Sequence, residues 1–347
     1  MGVTRKQAVI DAIKHRDGDR CPYTFVWEPD SDIDRRLDAH YGNPQWRTSY
    51  RNYIVRCGVI EDGRRVYQPG PPLREDYFGS VWRTDHKPIH METPVLQKPS
   101  LKGYAFPDID RFVPRDWERQ VRDSLQENAD CFTTVYPGFG LFERSWAMRG
   151  FSEVLVDTIQ EPEFFRDLIA AIAENHMHPL LDRLLELPVD GIFFGDDWGD
   201  QRGVIIGPER WQAVLKPVYR ELYQKTKVAG KIVLSHCCGS IVDIIPDLLQ
   251  IGLEVLESVQ PEARGMRPYE LKDRFGDKLA FWGGLGSQSI IPRGTPDELR
   301  QEIRRLVAHM SDGGGYILSG AKALQVETPT QNAAAILEEF VAAGEAT

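Results

Sequence analysis

The run Ser-His-Cys-Cys-Gly at 235–239 holds the sharpest chemical signal in the chain. It follows the apolar stretch Lys-Ile-Val-Leu and so reads as the end of a strand. On an extended chain, residues i and i+2 point to the same side. His236 and Cys238 then face one point, while Cys237 faces the opposite layer and is expected to be core. An imidazole and a thiolate converging on one point suit Zn²⁺. A zinc ion there would bind a thiol or polarise an ether or carbonyl oxygen. Two ligands do not make a site, so a plainer reading stands beside it: Cys238 a small buried residue, His236 a satisfied polar one. A third ligand must come from another strand end. Glu257 is the best candidate, Asp196 or Asp197 are alternatives, and Ser319 is a weak one.

The stretch Gly-Asp-Asp-Trp-Gly-Asp-Gln (195–201) gathers three acids at a second strand end. Asp196 or Asp197, with Glu257, is expected to bind or protonate substrate, and two adjacent carboxylates would raise one pKa. The alternative is a helix cap and a partner for Arg202. Trp27, Glu28, Tyr136, Phe139, Trp198, Gln201, Gln260, Trp282 and Ser319 also fall at strand ends and are the expected substrate-binding residues. Polar and aromatic side chains at nearly every strand end suit a small-molecule pocket. Glu143 reads either as an acid/base group or as a solvated charge. His86 and His90 read as surface residues of a loop. His176 and His178 lie on a helix and share no face.

These residues need a scaffold that brings strand ends together. Apolar runs at 22–27, 80–83, 131–136, 191–196, 231–236, 254–258, 278–283 and 316–319 read as eight strands. They are continuously apolar, as in a parallel sheet covered on both faces. Helical stretches alternate with them: 4–16 capped by Thr4, 118–128, 161–187 with Pro179 kinking or ending it, 208–228, 240–250, 268–275, 295–310 and 328–343. Eight strands with alternating helices predict an α/β fold, a (β/α)8 TIM barrel, with chemistry at the strand C-termini. A doubly wound sheet is the runner-up, disfavoured because no strand is followed by a Gly-x-Gly-x-x-Gly turn. One domain is expected over 1–347, with N-terminal insertions and a Pro- and His-rich covering loop at 84–115.

Composition narrows the function classes. The 347 residues are 41% hydrophobic and 27% charged, an ordinary globular balance. No apolar run reaches about 18 residues, so no transmembrane helix is expected. The N-terminus shows no secretory h-region, and Gly2 lacks the Ser or Thr of a myristoylation signal. Five cysteines, an odd number, argue against a disulfide framework and for a reduced, cytoplasmic setting. A net charge of −10 argues against nucleic acid as the partner. No membrane association is expected, and a homodimer is compatible with the sequence without being called for.

Taken in order, GDDWGDQRG, LSHCCGSIVDIIPDLLQIGLEVL, QPE, FWGG, GGGYILSG and ETPTQN resemble the uroporphyrinogen decarboxylase and cobalamin-dependent methyltransferase superfamily. Weaker echoes occur at TRKQAVIDAI, EDYFGSVWR and YAFPD. The resemblance implies a (β/α)8 barrel and two main chemistries. True decarboxylases carry an arginine-rich stretch after the first strand. Here that place reads TFVWEPDSD, which would repel the eight carboxylates of uroporphyrinogen. The methyltransferase branch holds zinc with His-x-Cys and a later Cys. His236 and Cys238 match, but the later position falls near Ser319, and zinc would be held with Glu257 or lost.

The resemblance therefore points to an O-demethylase-like methyltransferase, which moves a methyl group from a small methoxylated compound to a corrinoid protein. Zinc, or a carboxylic acid near 196/197, would activate the ether oxygen. No Asp-x-His-x-x-Gly corrinoid motif is present, so cobalamin would arrive on a partner. Tetrapyrrole decarboxylation and a non-catalytic ligand-binding barrel are the competing expectations.

Overall fold

The computed structural model describes residues 3–16, 18, 20–63, 72–85 and 89–345. The ten strands of these residues are, in chain order, β1 (Ile54–Val59), β2 (Leu73–Glu75), β3 (Val81–Arg83), β4 (His90–Thr93), β5 (Phe132–Tyr136), β6 (Gly191–Gly195), β7 (Ile232–His236), β8 (Val255–Ser258), β9 (Ala280–Leu285) and β10 (Tyr316–Gly320). Seven of them form one parallel sheet in the order β1-β5-β6-β7-β8-β9-β10. Residues 22–27 close it. Tyr23 and Trp27 bridge in parallel to Leu318 and Leu324 on one side. On the other, Tyr53 donates its N–H to the Tyr23 carbonyl, and the Asn52 amide bonds both the N–H and the C=O of Phe25. The Asn52 side chain thus stands in for backbone at the seam. The result is the expected eight-membered parallel barrel, and a doubly wound sheet is excluded.

One strand assignment needs correction. The second barrel strand is Ile54–Val59, and the expected strand at 80–83 pairs instead in a three-stranded antiparallel sheet, β2-β3-β4. The run IVRCGV misleads because polar Arg56 and Gly58 break its apolar character. A register shift between Arg56 and Gly58 also spoils its alternation. The expected covering loop at 84–115 contributes β4 to the small sheet, and His90 is exposed there. His86 lies outside the described residues. The small sheet is tied to the barrel by buried Arg144, which donates to Asp62 at 2.7 Å and lies 3.8 Å from Asp76. Asp76 in turn accepts from the Trp82 indole of β3.

The helices follow their local chemistry. Thr4 caps Arg5–Ile13, its hydroxyl accepting from the Gln7 N–H. Thr295 and Glu298 form a reciprocal capping box on Pro296–Met310. The expected long helix at 161–187 is two α-helices, Pro162–Ile172 and His178–Leu185, joined by a π-turn at Ala173–Met177. Pro179 offers no N–H to the turn before it, and the widened turn absorbs that loss. Pro217 has the same effect at Trp211–Leu215. The helix expected at 240–250 begins only at Ile245, with Pro246 in its first turn. Helices and strands bury a continuous apolar core, including Leu180, Ile192, Val233, Leu256 and Phe281. No helix of the described residues is long and apolar enough to cross a membrane.

Candidate metal centre at the barrel mouth

The C-terminal ends of β6, β7 and β8 lie side by side, with Gly195, His236 and Glu257 in register. His236 ends β7 and directs both ring nitrogens to partners. Nδ1 is hydrogen-bonded to Glu257 Oε2. Nε2 lies 3.3 Å from Cys238 Sγ and 3.4 Å from Asp197 Oδ1. One donor atom each from Asp197, His236 and Cys238 lies within 4.8 Å of the other two. Imidazole nitrogen, thiolate sulfur and carboxylate oxygen form a donor set suited to Zn²⁺. A carboxylate on the far ring nitrogen is the usual support of a metal-binding histidine, fixing its tautomer and tilt. The residues present therefore fit the ion that the sequence suggested, and a three-donor set leaves a position for substrate.

The geometry changes the assignment of the third ligand. Glu257 occupies the nitrogen opposite Cys238, so it holds the imidazole rather than sharing an ion with it. Asp197, with His236 and Cys238, supplies the third donor atom of the group that could hold an ion. Its Oδ1 also accepts the Cys238 N–H at 2.9 Å, which pins the loop that carries the thiol. Burial disfavours the charged imidazole, yet Glu257, Asp197 and Cys238 together outweigh burial and hold the His236 pKa well above 6.5. Burial would also raise Asp197. Its bonds to His236 and the Cys238 N–H, with Lys322 nearby, keep its carboxyl below the ordinary aspartate value. The pocket is thus arranged around a positive centre.

Cys237 faces away, as the alternation requires. Its buried Sγ accepts from the Trp198 N–H and donates to the Cys238 carbonyl, both at 3.3 Å, and burial pushes its pKa well above the ordinary thiol value. Gly239 turns the chain at φ +76°, and a Cβ there would sit 2.6 Å from the Gly199 backbone. Only glycine lets the two ligand loops approach so closely. The end of β8 is strained as well, with Ser258 and Val259 at φ +105° and +39°.

Asp196, expected to be catalytic, is engaged with four donors of the surrounding structure. It is fully buried, and its oxygens accept from the Phe142 and Glu143 N–H groups, the Trp198 indole and the Tyr219 hydroxyl. The carboxylate caps the helix Leu141–Arg149 and anchors the loop after β6. Burial raises its pKa to about 6 against those donors. Trp198, expected to bind substrate, is sealed between Trp211 and Tyr219. Gln201 is exposed, and its backbone carbonyl bonds the Arg264 N–H. Glu28 is exposed, and Trp27 packs on Phe25 and Trp46 at the barrel seam. Phe139 rests against Trp146. Buried Ser319 bonds the Gly320 carbonyl through its own hydroxyl.

Three of the expected binding residues do meet near the triad. Trp282 packs against Phe193, whose ring centroid is 6.5 Å from that of His236, and its indole N–H is held by Thr24. Tyr136 packs on the other side of Phe193. Its phenol occupies the space left by Gly195, where a Cβ would lie 2.6 Å from the hydroxyl. Burial, then Glu143, keeps that phenol protonated, with His236, Arg56 and Asp197 near enough to act on it. Buried Gln260 accepts the Gly239 N–H through Oε1, while its Nε2 has no partner among the described residues. Two site residues escaped the sequence reading. Tyr219 lies on a helix and gave no strand-end signal. Arg56 sits on β1, a strand that the apolar pattern does not reveal.

No curated protein matches the chain. Among solved structures, a methyltransferase from Methanosarcina mazei superposes with a TM-score of 0.72 at 15% identity, covering 99% of each chain. That likeness concerns the fold. The model of one family, uroporphyrinogen decarboxylase (URO-D), matches residues 121–342, which span β5 to β10 and every member of the triad. The chain belongs to the URO-D family.

Proposed function

We propose that this protein is a methyltransferase that moves a methyl group from a small methoxylated compound to a partner corrinoid protein. The observation that carries the reading is the convergence of His236 Nε2, Cys238 Sγ and Asp197 Oδ1 at the barrel mouth. A bound Zn²⁺ would supply Lewis-acid polarisation of the donor's ether oxygen. His236, Cys238 and Asp197 would hold it. Glu257 keeps the imidazole in place. The Tyr136 phenol is a proton-bearing donor beside the triad, and the unpartnered Gln260 amide offers a second donor for an oxygen of the substrate. Phe193 and Trp282 supply an aromatic floor beside the imidazole. A partner's corrinoid would supply the methyl acceptor; as the O–CH₃ bond breaks, the ether oxygen would take a proton, for which the Tyr136 phenol is the donor beside the triad. The M. mazei methyltransferase likeness is consistent with this reading.

The test is methyl transfer to free cob(I)alamin, followed by absorbance, with zinc-loaded protein and a panel of methoxylated alkyl and aryl compounds. The expected result is transfer from at least one compound, lost in Cys238→Ala. No transfer from any of them, or formation of coproporphyrinogen from uroporphyrinogen, would overturn the proposal.

A further inference from the structure

Arg56 projects from β1 into the barrel. Its guanidinium carbon lies 4.2 Å from the Phe193 ring centroid, 5.9 Å from that of Tyr136 and 6.0 Å from that of Trp282. Its neighbour on the same strand, Gly58, faces the opposite way, toward Val121 and Trp117 of the outer helix. Arg56 is nevertheless exposed, so the mouth is open above it. Among the described residues it makes no hydrogen bond or ion pair, unlike the buried Arg144 and Arg149. Asp197 is engaged with His236 and the Cys238 N–H. A cation held over three aromatic faces, one ring away from the metal-ligating imidazole, keeps its five donors for a ligand.

We propose that Arg56 binds a carboxylate on the methyl donor, so that the substrate is a methoxylated carboxylic acid whose acid group is gripped at β1 while its ether oxygen meets the triad at β6 and β7. The planar fork matches a carboxylate through two parallel N–H···O bonds. The aromatic faces of Phe193, Tyr136 and Trp282 hold the guanidinium in place for that pairing. A single arginine at the mouth matches one carboxylate rather than a polycarboxylate. The inference rests on the reading of the mouth as a methyl-donor site.

Titration calorimetry without any corrinoid tests it. The probes are methoxyacetate and 4-methoxybenzoate, each against its neutral alcohol counterpart, with wild type, Arg56→Gln and Arg56→Lys. Wild type should bind at least one acid about tenfold or more tightly than its alcohol. Arg56→Gln should lose that preference while binding the alcohol as before, and Arg56→Lys should retain part of it. An unchanged preference in Arg56→Gln overturns the proposal, and so does a wild type that prefers neither acid. Because no methyl group moves in this assay, a preserved preference with failed methyl transfer contradicts only the proposed function. Methyl transfer without the preference contradicts only the role of Arg56.

Discussion

At the residue scale, two neighbouring acids turn to opposite surroundings. Asp197 turns toward His236 and Cys238, and Asp196 turns inward to collect four donors. Removing the Asp196 carboxylate would leave two backbone N–H groups, an indole and a phenol unsatisfied in a dry interior. Each such loss costs about 1–3 kcal/mol, so Asp196→Ala is expected to cost about 3 kcal/mol or more in urea unfolding. A change under about 1 kcal/mol would show that the acid is not an anchor. The sequence made the His236–Cys238 pair legible because strand alternation fixes i and i+2 on one side. It could not tell Asp196 from Asp197, since their division depends on Tyr219 and on the helix at Leu141, both distant in the chain. It offered Glu257 as a third ligand from the next strand end but could not say that this carboxylate would meet the imidazole at Nδ1.

At the element scale, the β6-to-β10 half of the barrel was readable because its strands are uninterrupted apolar runs between good helix signals. The first half was not. β1 carries a polar Arg56, a register shift and no clean apolar run, so the strand and its arginine went unseen together. The π-turn at Ala173–Met177 likewise has no sequence signature beyond Pro179. It buries His176 between Phe78 and Phe112, with ring centroids 4.9 and 4.7 Å away and Nδ1 unpartnered. Burial, then Arg144, lowers its pKa from 6.5 to about 3. Between those values the unfolded chain binds a proton that the folded chain refuses, so stability rises with pH and is lost as pH falls below about 6.5. From pH 7 to pH 5 this position should account for about 2 kcal/mol of destabilisation. Denaturant titrations of His176→Phe at both pH values should show a correspondingly flatter acid limb. An unaltered pH dependence would mean that the imidazole is hydrated in the folded state.

At the scale of the whole molecule, the barrel joins groups that no single segment could hold. Asp197 follows β6, His236 ends β7 with Cys238 just beyond it, Glu257 lies on β8, and Arg56 approaches from β1 across the mouth. A closed barrel makes the first strand a neighbour of the last and puts all these ends around one opening. Under the proposed function, the open mouth is also where a corrinoid partner would reach the substrate. The most direct test of this account is zinc content with X-ray absorption at the zinc edge, on wild type and on single variants. The expected result is about one zinc per chain with one sulfur among its nearest neighbours. Cys238→Ala and Asp197→Ala should lose most of the metal. Glu257→Gln should retain it with affinity about 10–100-fold weaker, as fits a support rather than a ligand. Zinc absent from the wild type, or bound without sulfur and indifferent to Cys238→Ala, would contradict the account.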